Sequence, residues 1–137
     1  MKSKLYVAIS FLALSASSDA QHKPQHIDAL IASPDIYTLL LENEHVRVLE
    51  YLIEPGEREA WHTHPPKAVY VASGGKLRII TEDGSSFVVD ENTGDAAWMN
   101  AVGRHYGENV GTTPIRIVLM EVKSLADTPF EKASVPE

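Results

Sequence analysis

The 137-residue sequence contains no cysteine, so disulfides, thiolate metal sites and cysteine nucleophiles are all excluded. Basic residues are also scarce. Twelve lysines and arginines face 19 acidic residues, for a formal charge of −7, which argues against nucleic acid and anionic membrane surfaces as partners. No apolar run approaches the roughly 20 residues a bilayer-crossing helix needs. Internal repeats, long helical periodicity and the motifs G-x-G-x-x-G and G-x-S-x-G are missing too, leaving no sign of a dinucleotide site or a nucleophile elbow. Soft or borderline metal ligands are therefore limited to six histidines: His22, His26, His45, His62, His64 and His105.

What is present begins with an export pattern. Lys2 and Lys4 make a positive start, residues 5–14 form an apolar core interrupted by Ser10, and Ser18-Asp19-Ala20 supplies small residues where a signal peptidase reads. A signal peptide over residues 1–20 is expected, with cleavage after Ala20 and Ala16 or Ser18 as rivals, and a periplasmic or secreted mature protein. About 117 residues then remain, enough for one core.

The mature chain divides into an N-terminal segment at 21–41, a single domain at 42–123 and a tail at 124–137 without periodicity. A short helical segment is expected at 27–31, ending before Ser33-Pro34. From Glu42 onward the pattern is β: strands are expected over 45–54, 69–72, 76–81, 86–89, 96–99 and 115–122. Glu54-Pro55-Gly56, Ser73-Gly74-Gly75, Asp83-Gly84 and Asn92-Thr93-Gly94 supply the turns. Asp83-Gly84 reads as a type I′ hairpin turn with both residues at positive φ. Short strands at close spacing predict an all-β sandwich or barrel whose closure hides its edges.

Within this frame lies Ala60-Trp61-His62-Thr63-His64-Pro65-Pro66. On a strand, residues i and i+2 share a face, so His62 and His64 project together and Thr63 turns away. Pro65 holds His64 in the extended region, and Pro66 stops further ladder hydrogen bonds. Two histidines so placed could equally be a partly exposed strand end, and a third ligand would decide. The downstream candidate is His105, in Arg104-His105-Tyr106-Gly107-Glu108-Asn109.

Together these residues resemble the cupin superfamily. Its first motif, G(x)5HxH(x)3-4E(x)6G, is matched by Gly56, His62 and His64, with Gly74 or Gly75 at its close. Its second, G(x)5PxG(x)2H(x)3N, is matched by Gly94, His105 and Asn109. The resemblance implies an all-β cupin fold, the double-stranded β-helix or jelly roll, with a short N-terminal helical segment. It implies one divalent metal ion (Fe, Mn, Ni or Zn) on His62, His64 and His105, and a homodimer paired through outer strands.

The chain departs from the pattern at two places. Asn100 and Val102 replace the proline and glycine of the second motif, so the loop before His105 is expected to differ in shape. The glutamate ligand is missing: counting from His64 puts Ala68 there, and counting back from Gly74 puts Lys67 there. Three neutral imidazoles leave the charge of a divalent ion uncompensated, so the open positions favour a small anionic, oxygen-rich molecule. Acetylacetone dioxygenase and cysteine dioxygenase share such a ligand set, but their likeness to this chain stops there.

Around the metal, alternation places Tyr70 on the face of Ala68, making it the preferred hydroxyl donor toward the missing carboxylate. Trp98, Tyr106 and Asn109 are further candidates for the pocket, with barrel core as the alternative for the aromatics. Glu59 differs in parity from the two histidines and is set aside as a ligand, whereas Glu108 is left open. His22, His26 and His45 are expected in solvent. No catalytic base stands out, so two functions are carried forward: a metal-dependent enzyme, an oxygenase or a lyase or isomerase, and a binding module without turnover.

Overall fold

A computed structural model describes residues 26–123; the expected signal peptide, His22 and the tail at 124–137 lie outside the described residues. Among the described residues there are nine strands and one short helix: α1 (Ala29–Ala32), β1 (Tyr37–Glu42), β2 (Val46–Ile53), β3 (His62–His64), β4 (Lys67–Ser73), β5 (Gly75–Thr81), β6 (Ser86–Glu91), β7 (Ala96–Met99), β8 (Val102–Asn109) and β9 (Ile115–Val122). They form a five-stranded sheet, β1-β2-β9-β4-β7, and a four-stranded sheet, β3-β8-β5-β6. All of the strand pairs are antiparallel, as the jelly-roll expectation requires.

The core follows from period-2 alternation. Leu49, Tyr51 and Ile53 on β2 and Ile115, Ile117 and Leu119 on β9 point inward and are buried, together with Val71 on β4 and Leu77 on β5. The next inward position on β9 is Glu121, and the first on β4 is Lys67; each is buried, at 2% and 3% exposure. Two ionisable groups thus occupy positions that alternation assigns to the interior.

The two prolines mark the place where the chain changes sheets. β3 belongs to the four-stranded sheet and β4 to the five-stranded one, and the Pro66 carbonyl accepts the Val122 N–H at 2.9 Å. Lacking an N–H, neither proline can extend the β3 ladder, which frees the chain to cross.

Three local expectations are corrected. β1 was not expected within the N-terminal segment, yet Tyr37 to Glu42 pairs with Tyr51 to Arg47. The run before His105, read as a loop, is strand β8 despite Gly103 and Gly107, because it is hydrogen-bonded on both sides, to β3 and β5. The Asp83-Gly84 turn is not type I′, since only Gly84 has positive φ (85°). Gly84 N–H donates to Thr81 O at 2.9 Å and Thr81 N–H to Ser85 O at 3.0 Å, closing a longer loop in which Asp83 Oδ1 accepts from Ser85 N–H.

Candidate metal centre

β3 and β8 are antiparallel neighbours, and His62 lies directly opposite His105 in their register. A register shift follows, with His64 opposite Val102. His62 and His64 share the inward face while Thr63 points out, where its hydroxyl accepts the Ile27 N–H at 2.9 Å. The three imidazoles are buried, at 0%, 4% and 7% exposure for His62, His64 and His105, and each offers a nitrogen so that the three lie within 4.8 Å of one another.

Hydrogen bonds to the far side of each ring decide which nitrogens face inward. His62 Nδ1 lies 2.9 Å from Ala60 O, and His105 Nδ1 lies 2.7 Å from Gly103 O. A carbonyl only accepts, so both Nδ1 atoms carry the proton. His64 Nδ1 lies 2.7 Å from Glu121 Oε1 and donates likewise. Burial lowers the pKa of all three rings, that of His64 to about 3, so the rings are neutral and each Nε2 carries a bare lone pair. His62 Nε2 and His64 Nε2 face one another at 3.0 Å. With no hydrogen to share, two such lone pairs repel unless a cation lies between them. A divalent ion taken up by imidazole fits this donor set.

Glu121 belongs to a longer chain of charges. Its Oε2 accepts from Arg47 Nε and Nη2 at 2.9 and 2.6 Å, and Arg47 also holds both Asp28 oxygens at 2.7 and 3.0 Å. Asp28 caps α1 by accepting Leu30 N–H. Burial would raise the Glu121 pKa, but the hydrogen bonds from His64 and Arg47 hold it below the usual carboxylate value. A carboxylate that accepts Nδ1–H orients a metal-binding imidazole and raises its basicity.

Glu59 stays outside the histidine group, but for a reason other than parity. The parity that set it aside presumes a strand, but Glu59 precedes β3; its N–H bonds Gly107 O at 3.0 Å and its Oε2 accepts the Gly107 N–H closely. This reciprocal clasp needs glycine, since a Cβ at Gly107 would lie 2.7 Å from Glu59 Oε2. Glu59 Oε1 accepts the Tyr37 hydroxyl at 2.5 Å and lies 3.9 Å from His62 Nε2. Tyr37 Oη in turn lies 3.3 Å from His62 Nε2 and 3.4 Å from His64 Nε2. Glu59 therefore borders the centre without joining the three-histidine group, and burial raises its pKa. Glu108 does not approach the histidines and pairs with Arg78 at 3.4 Å.

The remaining pocket candidates lie elsewhere. Tyr70 is half exposed and shares the outward parity of Ala68, so its hydroxyl does not turn toward the histidines. Trp98, opposite Ala68, is likewise half exposed. Tyr106 packs edge-on against Trp61 at 4.6 Å beneath the Arg58 guanidinium, on the opposite parity to His105. Asn109 is buried, but its amide ties the loop after β8 to Ile53 O and Thr113 O. None of the four lines the cavity at the histidines. His45 and His26 are exposed as expected.

The residue that does occupy the glutamate position is Lys67, counted back from Gly74, since it points inward and Ala68 does not. Lys67, Tyr51, His64 and His105 face a cavity of about 390 Å³, whose other walls are largely apolar, including Val69, Leu77 and Ile117. Burial lowers the Lys67 pKa to about 8. Tyr37 and Glu121 were missed in the sequence, Glu59 was set aside, and Lys67 stood only as one of two residues in the glutamate's place. The strict alternation Ile115, Ile117, Leu119, Glu121 was the signal available for Glu121.

A two-sheet antiparallel jelly roll with three imidazoles converging between its sheets defines a cupin-type scaffold with a three-histidine cluster that could hold a metal ion. The chain belongs to the cupin domain family, whose model matches residues 49–121. A cupin domain from Bordetella pertussis is similar at 28% identity and a TM-score of 0.60, covering 65% of this chain and 93% of its own. A double-stranded β-helix protein from Klebsiella pneumoniae is similar at 25% identity and a TM-score of 0.52, covering 64% of this chain and 75% of its own. A cupin from Methanocaldococcus jannaschii shares the fold at 15% identity and a TM-score of 0.53, over 64% of this chain and 78% of its own. Comparison with curated proteins gives no match.

Proposed function

We propose that this is an exported metal-dependent cupin enzyme, an oxygenase or a lyase or isomerase, acting on a small anionic molecule bound beside His62, His64 and His105. The observation that carries the reading is the convergence of three Nε2 lone pairs whose Nδ1 protons are all committed to fixed acceptors. A bound divalent ion would supply Lewis acidity and positions for ligand exchange. The protein's own residues hold the imidazoles in one tautomer, wall the site with apolar side chains and place Lys67 where a carboxylate ligand would otherwise stand.

Binding without turnover is a second reading. It is favoured by the commitment of the two carboxylates that border the histidines: Glu121 is held by His64 and Arg47, and Glu59 by Tyr37 and Gly107. Neither is free to act as a general base.

Elemental analysis of untagged protein, beside a His62→Ala, His64→Ala double variant, tests the centre. Near one ion per chain, lost in the variant, is expected; an empty wild type that also takes up no added iron, manganese, nickel or zinc overturns the metal reading. Iron directs the next assay to oxygen uptake, and zinc or manganese to lyase and isomerase screens. Saturable binding of small acids with no turnover supports the module. Export is checked by N-terminal sequencing of the mature protein, expected to begin at Gln21.

A further inference from the structure

We propose that Lys67 is the specificity-determining residue of the cavity, and that it selects a carboxylate carried on an apolar body. The inference rests on the reading of this cavity as the ligand site, and it narrows the expected oxygen-rich anion to a largely hydrocarbon monocarboxylate.

Three observations lead there. Lys67 is 3% exposed, and a buried ammonium is costly unless an anion answers it. Neighbouring Glu121 and Glu59 favour its charge from a distance, but among the described residues no hydrogen bond or ion pair joins Lys67 Nζ to either, and both are engaged by other partners. The strand register explains the position, with Lys67 opposite Glu121 on β9 and Met99 on β7, at the inner end of the row Lys67, Val69, Val71.

Second, the same cavity is lined by Tyr51, which is 3% exposed. Its buried hydroxyl lies beside the Glu59 carboxylate but, among the described residues, makes no hydrogen bond of ordinary geometry. Unanswered buried polar groups are uncommon in folded proteins, and those facing a cavity are candidates for a ligand's oxygens. Third, the remainder of the lining sets the rest of the ligand. Val69, Leu77, Ile79, Ile117 and Leu119 offer no hydrogen bonds to a sugar or a polyol, and the volume of about 390 Å³ accommodates a short chain or one aromatic ring. Glu91 also lines the cavity, and with Glu59 it disfavours a second negative charge on the ligand.

The experiment compares hexanoate and 3-phenylpropionate with their uncharged primary amides by isothermal titration calorimetry. Wild type, Lys67→Met and Lys67→Arg are each titrated with zinc supplied and after chelation. Lys67→Met keeps the length and packing of the side chain without its charge; Lys67→Arg keeps the charge. In wild type, the acid of at least one pair is expected to bind at least about tenfold more tightly than its amide, as a charge-assisted contact provides. That ratio is expected to fall several-fold in Lys67→Met and to persist in Lys67→Arg. An unchanged acid-to-amide ratio in Lys67→Met overturns the proposal, as does a wild type that binds neither acid in either state. If Lys67→Met does not fold, equal binding of acid and amide by wild type, or loss of the preference in Lys67→Arg, overturns it. A protein that takes up no added iron, manganese, nickel or zinc but retains a Lys67-dependent preference for the acid removes the metal reading and leaves this one standing.

Discussion

Glu121 Oε1 accepts the Nδ1 proton of His64 across 2.7 Å, joining residues 57 positions apart from opposite sheets. The contact fixes the tautomer that turns His64 Nε2 toward His62 and His105. Through Arg47 and Asp28 it also ties the helix α1 to the candidate metal centre. Glu121 thus acts on the centre without belonging to it.

Glu121→Gln retains the shape but removes the charge that Arg47 and His64 answer. Zinc affinity, measured by competition with a chromophoric chelator, is expected to fall about 10- to 100-fold, the usual effect of removing a carboxylate behind a metal-binding histidine. Unchanged affinity would show that the Arg47 and Asp28 network serves folding alone.

The metal-free protein should lose stability in mild acid. Burial lowers the pKa of His62, His64 and His105 in the folded state, to about 3 for His64, while the unfolded rings titrate near 6.5. Below 6.5 the unfolded chain binds more protons than the folded one. The stability due to neutral histidines is therefore present above that pH and is lost as pH falls toward the folded values. Each ring contributes a slope of up to about 1.4 kcal/mol per pH unit. Glu121, whose folded pKa is lowered, adds a loss that begins below about 4.5. Urea unfolding of chelated protein at pH 7.5, 6.5 and 5.5 should show a falling midpoint, and a flat profile would contradict the assignment of neutral rings.

Tyr51→Phe removes a buried hydroxyl that lies beside Glu59 but makes no hydrogen bond of ordinary geometry among the described residues. Thermal stability is expected to hold or to rise by up to about 1 kcal/mol, since an unmade hydrogen bond costs the desolvation of its group. A clear loss of stability would reveal a partner for the hydroxyl and weaken its assignment to a ligand.

We propose that a second copy of the chain covers the outer face of β9, β4 and β7. Tyr70, Trp98 and Met120 are exposed there at 50%, 52% and 45%, and the register sets Trp98 and Met120 on either side of Ala68. The patch they form is uncharged, and exposed apolar patches of this kind commonly mark interfaces. Two copies can meet through the same patch about a twofold axis. Light scattering should give a dimer mass that Trp98→Glu halves; a wild-type monomer rules this pairing out.

Much of the fold was legible because period-2 alternation and turn chemistry are local. The strands at β7 and β9, the pairing of His62 with His64 on one face and the Gly56 and Gly94 turns follow from neighbouring residues and need no partner. β8 was not legible: its Gly103 and Gly107 weaken any strand signal, and the run is a strand only because β3 and β5 bond it from both sides. The same limit explains the misplacement of Tyr70. The sequence allowed the vacant glutamate position to be Ala68 or Lys67, and a one-residue change of register exchanges the inner and outer faces of a strand. Pairing with β9 and β7 decided for Lys67.

The sequence by itself determined that soft or borderline metal ligands can only be histidines, that His62 and His64 act from one strand and that the usual carboxylate is missing. Only the tertiary structure decided what surrounds them. Tyr37, Glu59, Lys67 and Glu121 come from four separate places in the chain, and each reaches the centre through sheet packing or a cross-strand clasp. The acceptors that set the protons of His62 and His105 are local carbonyls, but that of His64 is Glu121, and no property of a histidine's own sequence neighbours specifies an acceptor held on the opposite sheet.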